Sequence, residues 1–239
     1  MTVWVVAAVT AVVIWSMRSG ARTALAGIGW YELFFLFLSS AFLGDCFETI
    51  YVFLGTGVLM SRSSLLYAPL SLVWGAGAVL MTLVLMPLAR KGNAALFAGG
   101  VVLGGGFEYL TSWVLELATG RLFWDYSRMP FNLDGRTNLL YALFWGAAGV
   151  FWVRVAAPWL LGLLRQVPRR AGKVTALVLA LLLTVDMSLS AAALFRMEER
   201  RRGLTPSNTV EQTLDVLYTD ARLEQRYQNM QLPGEILTF

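Results

Sequence analysis

Two pairs of carboxylates stand out in a chain that carries few charges. Asp45 and Glu48 are three positions apart, so on a helix about 60° separates them and both project from one face. Glu108 and Glu116 are eight positions apart, which is about 80° around a helix axis and about 12 Å along it. Tyr109, Ser112 and Trp113 lie between them. Carboxylates so spaced can hold a cation or protons, carry acid–base steps, or bind Mg²⁺. Arg154 and Asp186 are further ionisable residues set within apolar sequence.

Other chemistry is ruled out by residue type. The chain has no histidine and a single cysteine, Cys46. That removes histidine metal sites, Ser-His-Asp triads, HExxH chemistry and any intrachain disulfide. Gly172-Lys173 is followed by Val174, so there is no Walker A loop. No aspartate-rich cluster accompanies the acids. The reading therefore leans away from an enzyme while leaving catalysis open; it calls for no cofactor and names no metal.

The elements that must position these acids are long apolar runs. Of 239 residues 57% are hydrophobic and 14% charged, and mean hydropathy is +0.63. Soluble domains carry about 25% charged residues, so the composition belongs to a membrane protein. Roughly 20 apolar residues cross a bilayer. Six such runs are predicted, at about 2–17, 29–54, 65–88, 94–117, 138–164 and 174–195. The first is short and is read as a span or as a cleaved signal segment, although no basic residue precedes it. The expected architecture is all-α: one polytopic transmembrane bundle over 1–195 and a polar tail over 196–239. Within the tail, Val210, Leu214, Leu217 and Leu223 suggest an amphipathic helix, docked on the protein's own surface or lying at the membrane interface.

The net charge of +4 resides in the membrane part, because the tail's six arginines face seven acids. This fits contact with a lipid leaflet and not with nucleic acid. Arg18, Arg22, Arg90, Lys91, Arg165, Arg169, Arg170 and Lys173 fall in loops on one side, which would put both termini outside. Arg196 and Arg200 to Arg202 argue the other way.

A charge at the centre of a bilayer costs about 2.5–3.5 kcal/mol, so the acids must face one another, a cavity or a partner. One reading is a polar cavity lined by Glu48, Glu108 and Glu116. The other is internal pairing, with Arg154 neutralising one carboxylate; Glu116 and Arg154 could also lie near the interface and snorkel. Residues 118–137 would cover such a cavity or cap the helices. They combine Trp124, Tyr126 and Phe131 with Asp125, Arg128, Asn132 and Arg136, and hold the turn pair Asp134-Gly135.

Glu108-Tyr-Leu-Thr-Ser-Trp-Val-Leu-Glu116, Trp124-Asp-Tyr-Ser127 and Phe131-Asn-Leu-Asp-Gly-Arg136 follow one another in order. Together they resemble the signature of a bacterial family, the ABC-transporter type IV permeases or CmpB-like integral membrane proteins. Ser61 to Leu70 and Trp74 to Ala78 resemble a second block of that family. The resemblance covers about 30–168. Ser64 and Ala68 stand where the family has glycines, and Asp45-Cys46 where it has glycine-tryptophan, which marks a divergent member. It implies a permease of a bacterial inner membrane, powered by a separate ATPase subunit. It points to Glu48, Arg62, Tyr67, Pro69, Glu108, Glu116, Trp124, Asp125, Tyr126, Asn132, Gly135 and Arg136.

The function expected is a permease or transport component with Glu48, Glu108 and Glu116 lining a polar site. Arg62 and Arg136 would flank its mouth, and Trp124, Asp125 and Tyr126 would cover it. Tyr67 and Asn132 complete the candidate substrate- or ion-binding set. The alternatives are a membrane-embedded lipid-binding or lipid-modifying protein, and a non-catalytic assembly or scaffold protein. The partners expected are membrane lipid and an ATPase subunit or another membrane protein. Neither substrate nor oligomeric state is readable from the residues alone.

Overall fold

The computed structural model describes residues 1–18 and 24–230. Arg22 of the first loop and Glu235 of the tail lie outside the described residues. The chain is a helical bundle: α1 (Thr2–Arg18), α2 (Trp30–Thr56), α3 (Leu72–Leu85, extended by a 3₁₀ turn to Lys91), α4 (Asn93–Thr119), α5 (Leu139–Leu164), α6 (Arg169–Arg201), α7 (Thr209–Leu217) and α8 (Asp220–Arg226). Two short strands, β1 (Asn132–Leu133) and β2 (Thr137–Asn138), pair antiparallel between α4 and α5. Five helices, α2 to α6, are long and apolar enough to cross a membrane, and α1 adds a shorter apolar helix of 17 residues. The protein is a multi-pass membrane protein.

Close helix contact rests on small residues. A Cβ at Gly104 would collide with the Trp145 ring, and one at Gly100 would stand 2.9 Å from the Trp145 carbonyl oxygen. α4 and α5 therefore touch backbone to side chain, the packing that drives helix association where lipid removes the hydrophobic incentive. Around this seam Leu36, Met81, Leu85, Leu96, Leu103 and Trp152 form the apolar core. α5 widens into a π turn over Trp152–Ala156. Pro158 lacks the N–H that would bond the Arg154 carbonyl, and the ladder is reset by one residue.

The acids share one level. Asp45 and Glu108 each lie 15 residues beyond the start of their helix, Asp186 lies 17 and Glu48 lies 18. At about 1.5 Å per residue this is about 22–27 Å from the basic face. The start of α1 meets the same level, with Thr2 Oγ1 3.2 Å from the Tyr109 hydroxyl. So does the first turn of α3, where Trp74 donates to Glu48 at 3.1 Å. A hydrocarbon slab about 30 Å thick, measured from the basic face, ends near this level. Measured this way the acids lie within the half of such a slab that is farther from the basic face. Of the two places open to Arg154, pairing with an acid or lying near the interface, the fold gives the second. It bonds Asn93 Oδ1 at 2.9 Å and the Ala89 carbonyl at 2.8 Å, at the basic face, and neutralises no acid of the set.

The tail folds back onto the acidic end of the bundle. Its amphipathic stretch forms two helices and not one, because Thr219 breaks the pattern and caps α8 by accepting from the Arg222 N–H. Leu214 and Leu223 turn inward with Ala193, Met197, Tyr218 and Tyr227, whereas Val210 and Leu217 are exposed. Arg196, only 2% exposed, pairs with Asp215 at 2.9 Å, and Arg200 reaches the same carboxylate at 2.6 Å. Arg226 threads into the 61–70 loop, donating to Leu65 O at 2.7 Å and Ser63 Oγ at 2.9 Å.

Candidate functional site

The loop after α4 is built by local turn chemistry. Asp134 and Gly135 both have positive φ, 52° and 68°, the geometry of a tight hairpin turn. The Arg136 N–H closes it on the Leu133 carbonyl at 3.0 Å. Asn132 fixes the strand entrance: its Nδ2 donates to Met129 O at 2.8 Å, and its Oδ1 accepts from the Gly135 N–H at 2.9 Å. Asp125 accepts from both the N–H and the hydroxyl of Ser127. A Cβ at Gly135 would stand 2.6 Å from Asp125 Oδ1, so this turn and the Trp124–Ser127 segment are pressed together. The Tyr126 N–H donates to Gly135 O at 2.7 Å and the Trp124 indole to Arg136 O at 2.9 Å. The whole segment is one folded cap.

This cap meets the two glutamates of α4 in different ways. Glu108, 7% exposed, accepts from the Tyr126 hydroxyl at 2.9 Å and the Thr137 hydroxyl at 2.7 Å. Among the described residues no arginine or lysine lies within ion-pair distance of it. Glu116, two turns on, forms an ion pair with Arg136, whose Nη1 also reaches Ser112 Oγ at 3.3 Å. Between them Tyr109 donates to Asp134 Oδ2 at 2.7 Å. The Tyr126 ring stacks on Tyr141 with centroids 4.8 Å apart, and the Tyr141 hydroxyl stands 3.4 Å from that of Tyr51. Burial first, then the neighbouring Glu108 carboxylate, holds the Tyr126 hydroxyl well above the usual phenol range. It is therefore a standing proton donor to Glu108.

Glu48 is satisfied separately. Arg62 grips its Oε1 through Nε at 2.8 Å and Nη2 at 2.6 Å, and the Trp74 indole donates to its other oxygen. This pair adjoins the α4 site through ring contact of Trp74 with Trp145, centroids 5.5 Å apart. Asp45, one turn earlier, is buried with Oδ1 lacking a hydrogen-bond partner among the described residues.

Of the ten residues singled out, the fold gathers Glu108, Glu116, Trp124, Asp125, Tyr126, Asn132 and Arg136 around the cap. Glu48 and Arg62 lie beside them. Tyr67 is elsewhere: its hydroxyl meets that of Tyr218 at 2.8 Å, and its N–H points at Asp186. Asp186 also accepts from the Ala68 N–H at 2.7 Å, so this acid anchors the 61–70 loop. A surface depression of about 370 Å³ is bordered by Ser112, Glu116, Trp124, Asp125, Arg128 and Arg136. Glu108 and Tyr126 are not among the residues that border it. Among the described residues no three acidic or cysteine side chains gather closely enough to hold a metal ion.

Thr137, Trp74 and Tyr141 were not singled out from sequence. Thr137 had no signal to find, since a threonine entering an apolar helix reads as packing. Trp74 enters the sequence reading only as part of a family block, and Tyr141 lies within an apolar run with nothing to mark it.

One family model, described as Putative ABC-transporter type IV (ABC_trans_CmpB), matches residues 35–191. The match runs further than the 30–168 resemblance at its far end, taking in most of α6 and Asp186, and leaves out α1 and the tail helices. Neither the curated proteins nor the solved structures give a match.

Proposed function

We propose, because this chain belongs to the ABC-transporter type IV family, that it is the membrane-spanning component of a transporter whose polar site lies under the 124–138 cap. The observation that carries this is the contrast among three glutamates. Glu48 and Glu116 each have an arginine. Glu108 has no arginine or lysine beside it among the described residues and is held by neutral donors, the hydroxyls of Tyr126 and Thr137 and the Trp145 side chain. A buried acid in a spanning helix without a cation is costly to retain for packing alone, and such residues mark solute or proton paths.

In this reading Glu108 holds a proton or a cationic group of the solute. Glu116 and Arg136 shape the outer depression, and Trp124, Asp125 and Tyr126 cover it. Glu48 and Arg62 support the wall beside Trp74. The chain has no P-loop, so a separate ATPase subunit in the same bacterial cell membrane would supply energy.

The test compares a bacterial strain lacking the gene, complemented by wild type or by Glu108→Gln at matched membrane levels. Metabolites and ions are profiled inside cells and in spent medium. Wild type should restore at least one solute gradient that Glu108→Gln does not. Affinity purification of wild type should recover a P-loop ATPase. Equal profiles for the two complemented strains would show that transport does not depend on the Glu108 carboxylate.

A further inference from the structure

The opposite, basic end of the bundle carries a second depression of about 370 Å³, between the starts of α2 and α6 and the end of α5. Tyr31, Glu32, Leu161, Arg165, Val167 and Arg169 line it. We propose that it binds the phosphate group of an anionic phospholipid. This rests on the membrane placement of the chain and not on the transport role of Glu108.

The two helix starts that meet at this depression are finished differently. α2 carries its own acid in the first turn: Glu32 accepts from the Gly29 N–H at 2.9 Å. α6, 33 residues long, begins at Pro168 with no side-chain cap and no acid in its first turn. Its first residues are instead Arg169 and Arg170, with Arg165 before and Lys173 after. A helix start already carries partial positive charge and free N–H groups. Adding arginines there makes a surplus that the protein itself does little to offset. Glu32 stands 4.0 Å from Arg169, whose side chain is 79% exposed. A phosphate at this spot would accept from the open N–H groups and from both arginines.

Tyr31 gives an independent indication. It is 3% exposed, and its hydroxyl has no hydrogen-bond partner among the described residues. That hydroxyl lies against the first turn of α6, 2.7 Å from where a Cβ of Gly172 would be. A buried phenol without a partner is costly. Tyr31 lines the depression, and a phosphate seated there deeply enough to reach the hydroxyl would accept its hydrogen. Below the rim, Leu163 of α5 and Val174 and Leu177 of α6 expose apolar surface. An acyl chain leaving the depression would lie along them, which favours a lipid phosphate over a free one.

The test is native mass spectrometry of the purified full chain, titrated with phosphatidylglycerol, phosphatidylcholine or inorganic phosphate. Wild type should retain one phosphatidylglycerol at least 10-fold more tightly than phosphatidylcholine, and millimolar phosphate should not displace it. Arg165→Gln/Arg169→Gln should lose at least 10-fold of that preference, and Tyr31→Phe should lose a few-fold. Arg165→Lys/Arg169→Lys checks folding and should recover part of the binding. Arg90→Gln/Lys91→Gln, on the same face but outside the depression, should change nothing. Displacement by inorganic phosphate would overturn the lipid as the source. Equal loss in the Arg90/Lys91 variant, or no loss in the Arg165/Arg169 variant, would overturn the site.

Discussion

Tyr126 and Glu108, eighteen residues apart, are joined by a 2.9 Å hydrogen bond that ties the cap to the middle of α4. Tyr126→Phe deletes the donor and leaves that carboxyl oxygen short of a partner in a buried place. The expected loss is about 1–3 kcal/mol of stability, read as a lower thermal midpoint in detergent. Burial and Glu108 push the phenol upward, so its proton stays in place through neutral and mildly alkaline pH. The gap between variant and wild type should therefore persist from pH 6 to 9, since the donor keeps its hydrogen throughout. A gap that closes over that range would contradict the donor role.

Glu116 and Arg136 pair at the rim, with side chains 29% and 17% exposed. Partial exposure screens the attraction, so their coupling should be about 1 kcal/mol, between surface and buried pairs. A double-mutant cycle with Glu116→Gln and Arg136→Gln measures it. A coupling indistinguishable from zero would mean that Arg136 acts on Ser112 and the loop backbone alone.

Gly135 adopts φ 68° where Asp125 and Ser127 leave no room for a side chain. Gly135→Ala meets both the conformational penalty and the clash, expected to cost about 1–3 kcal/mol locally. Amide exchange at Tyr126 and Arg136 should accelerate, while helix amides of α2 and α6 keep their protection.

The tail should come loose in acid. The hydrogen bond from Arg196, aided by Arg200, lowers the Asp215 carboxyl below its ordinary value of 3.8. A carboxyl depressed in the folded state stabilises docking above 3.8 and loses that contribution as pH falls through the folded value. Limited proteolysis of 202–230 should rise only below about pH 4. Asp215→Asn should raise it already at pH 7. An unchanged cleavage rate in that variant would deny the ion pair its role in docking.

The fold was legible where local physics decides it. Apolar run length located the long helices, and Asp134-Gly135 announced its turn. The motif run from Glu108 to Arg136 named the family and the segment that caps α4. What local physics does not decide stayed hidden. The level of the acids depends on where α1 and α3 begin relative to α4, a tertiary matter. The partner of each acid was equally hidden: Arg154 looked available to pair with one, yet it sits a helix length away. Tyr67 shares a motif block with Arg62 but faces the tail, because Asp186 and Arg226 bend the 61–70 loop toward α6. Thr137 gained its importance only through the fold of the cap.

The alignment of Asp45, Glu48, Glu108 and Asp186 with the first turns of α1 and α3 acts as a depth gauge. Lipid that rose past it would meet the polar cap and the charged tail docked at that end, and lipid that stopped short would bare the apolar flank of α6. Each ångström of such mismatch costs a fraction of a kcal/mol, and in this bundle a thickening bilayer would reach the charged side chains of the cap and tail. Reconstitution into lipids of graded chain length should reveal a thickness at which the bundle is most stable.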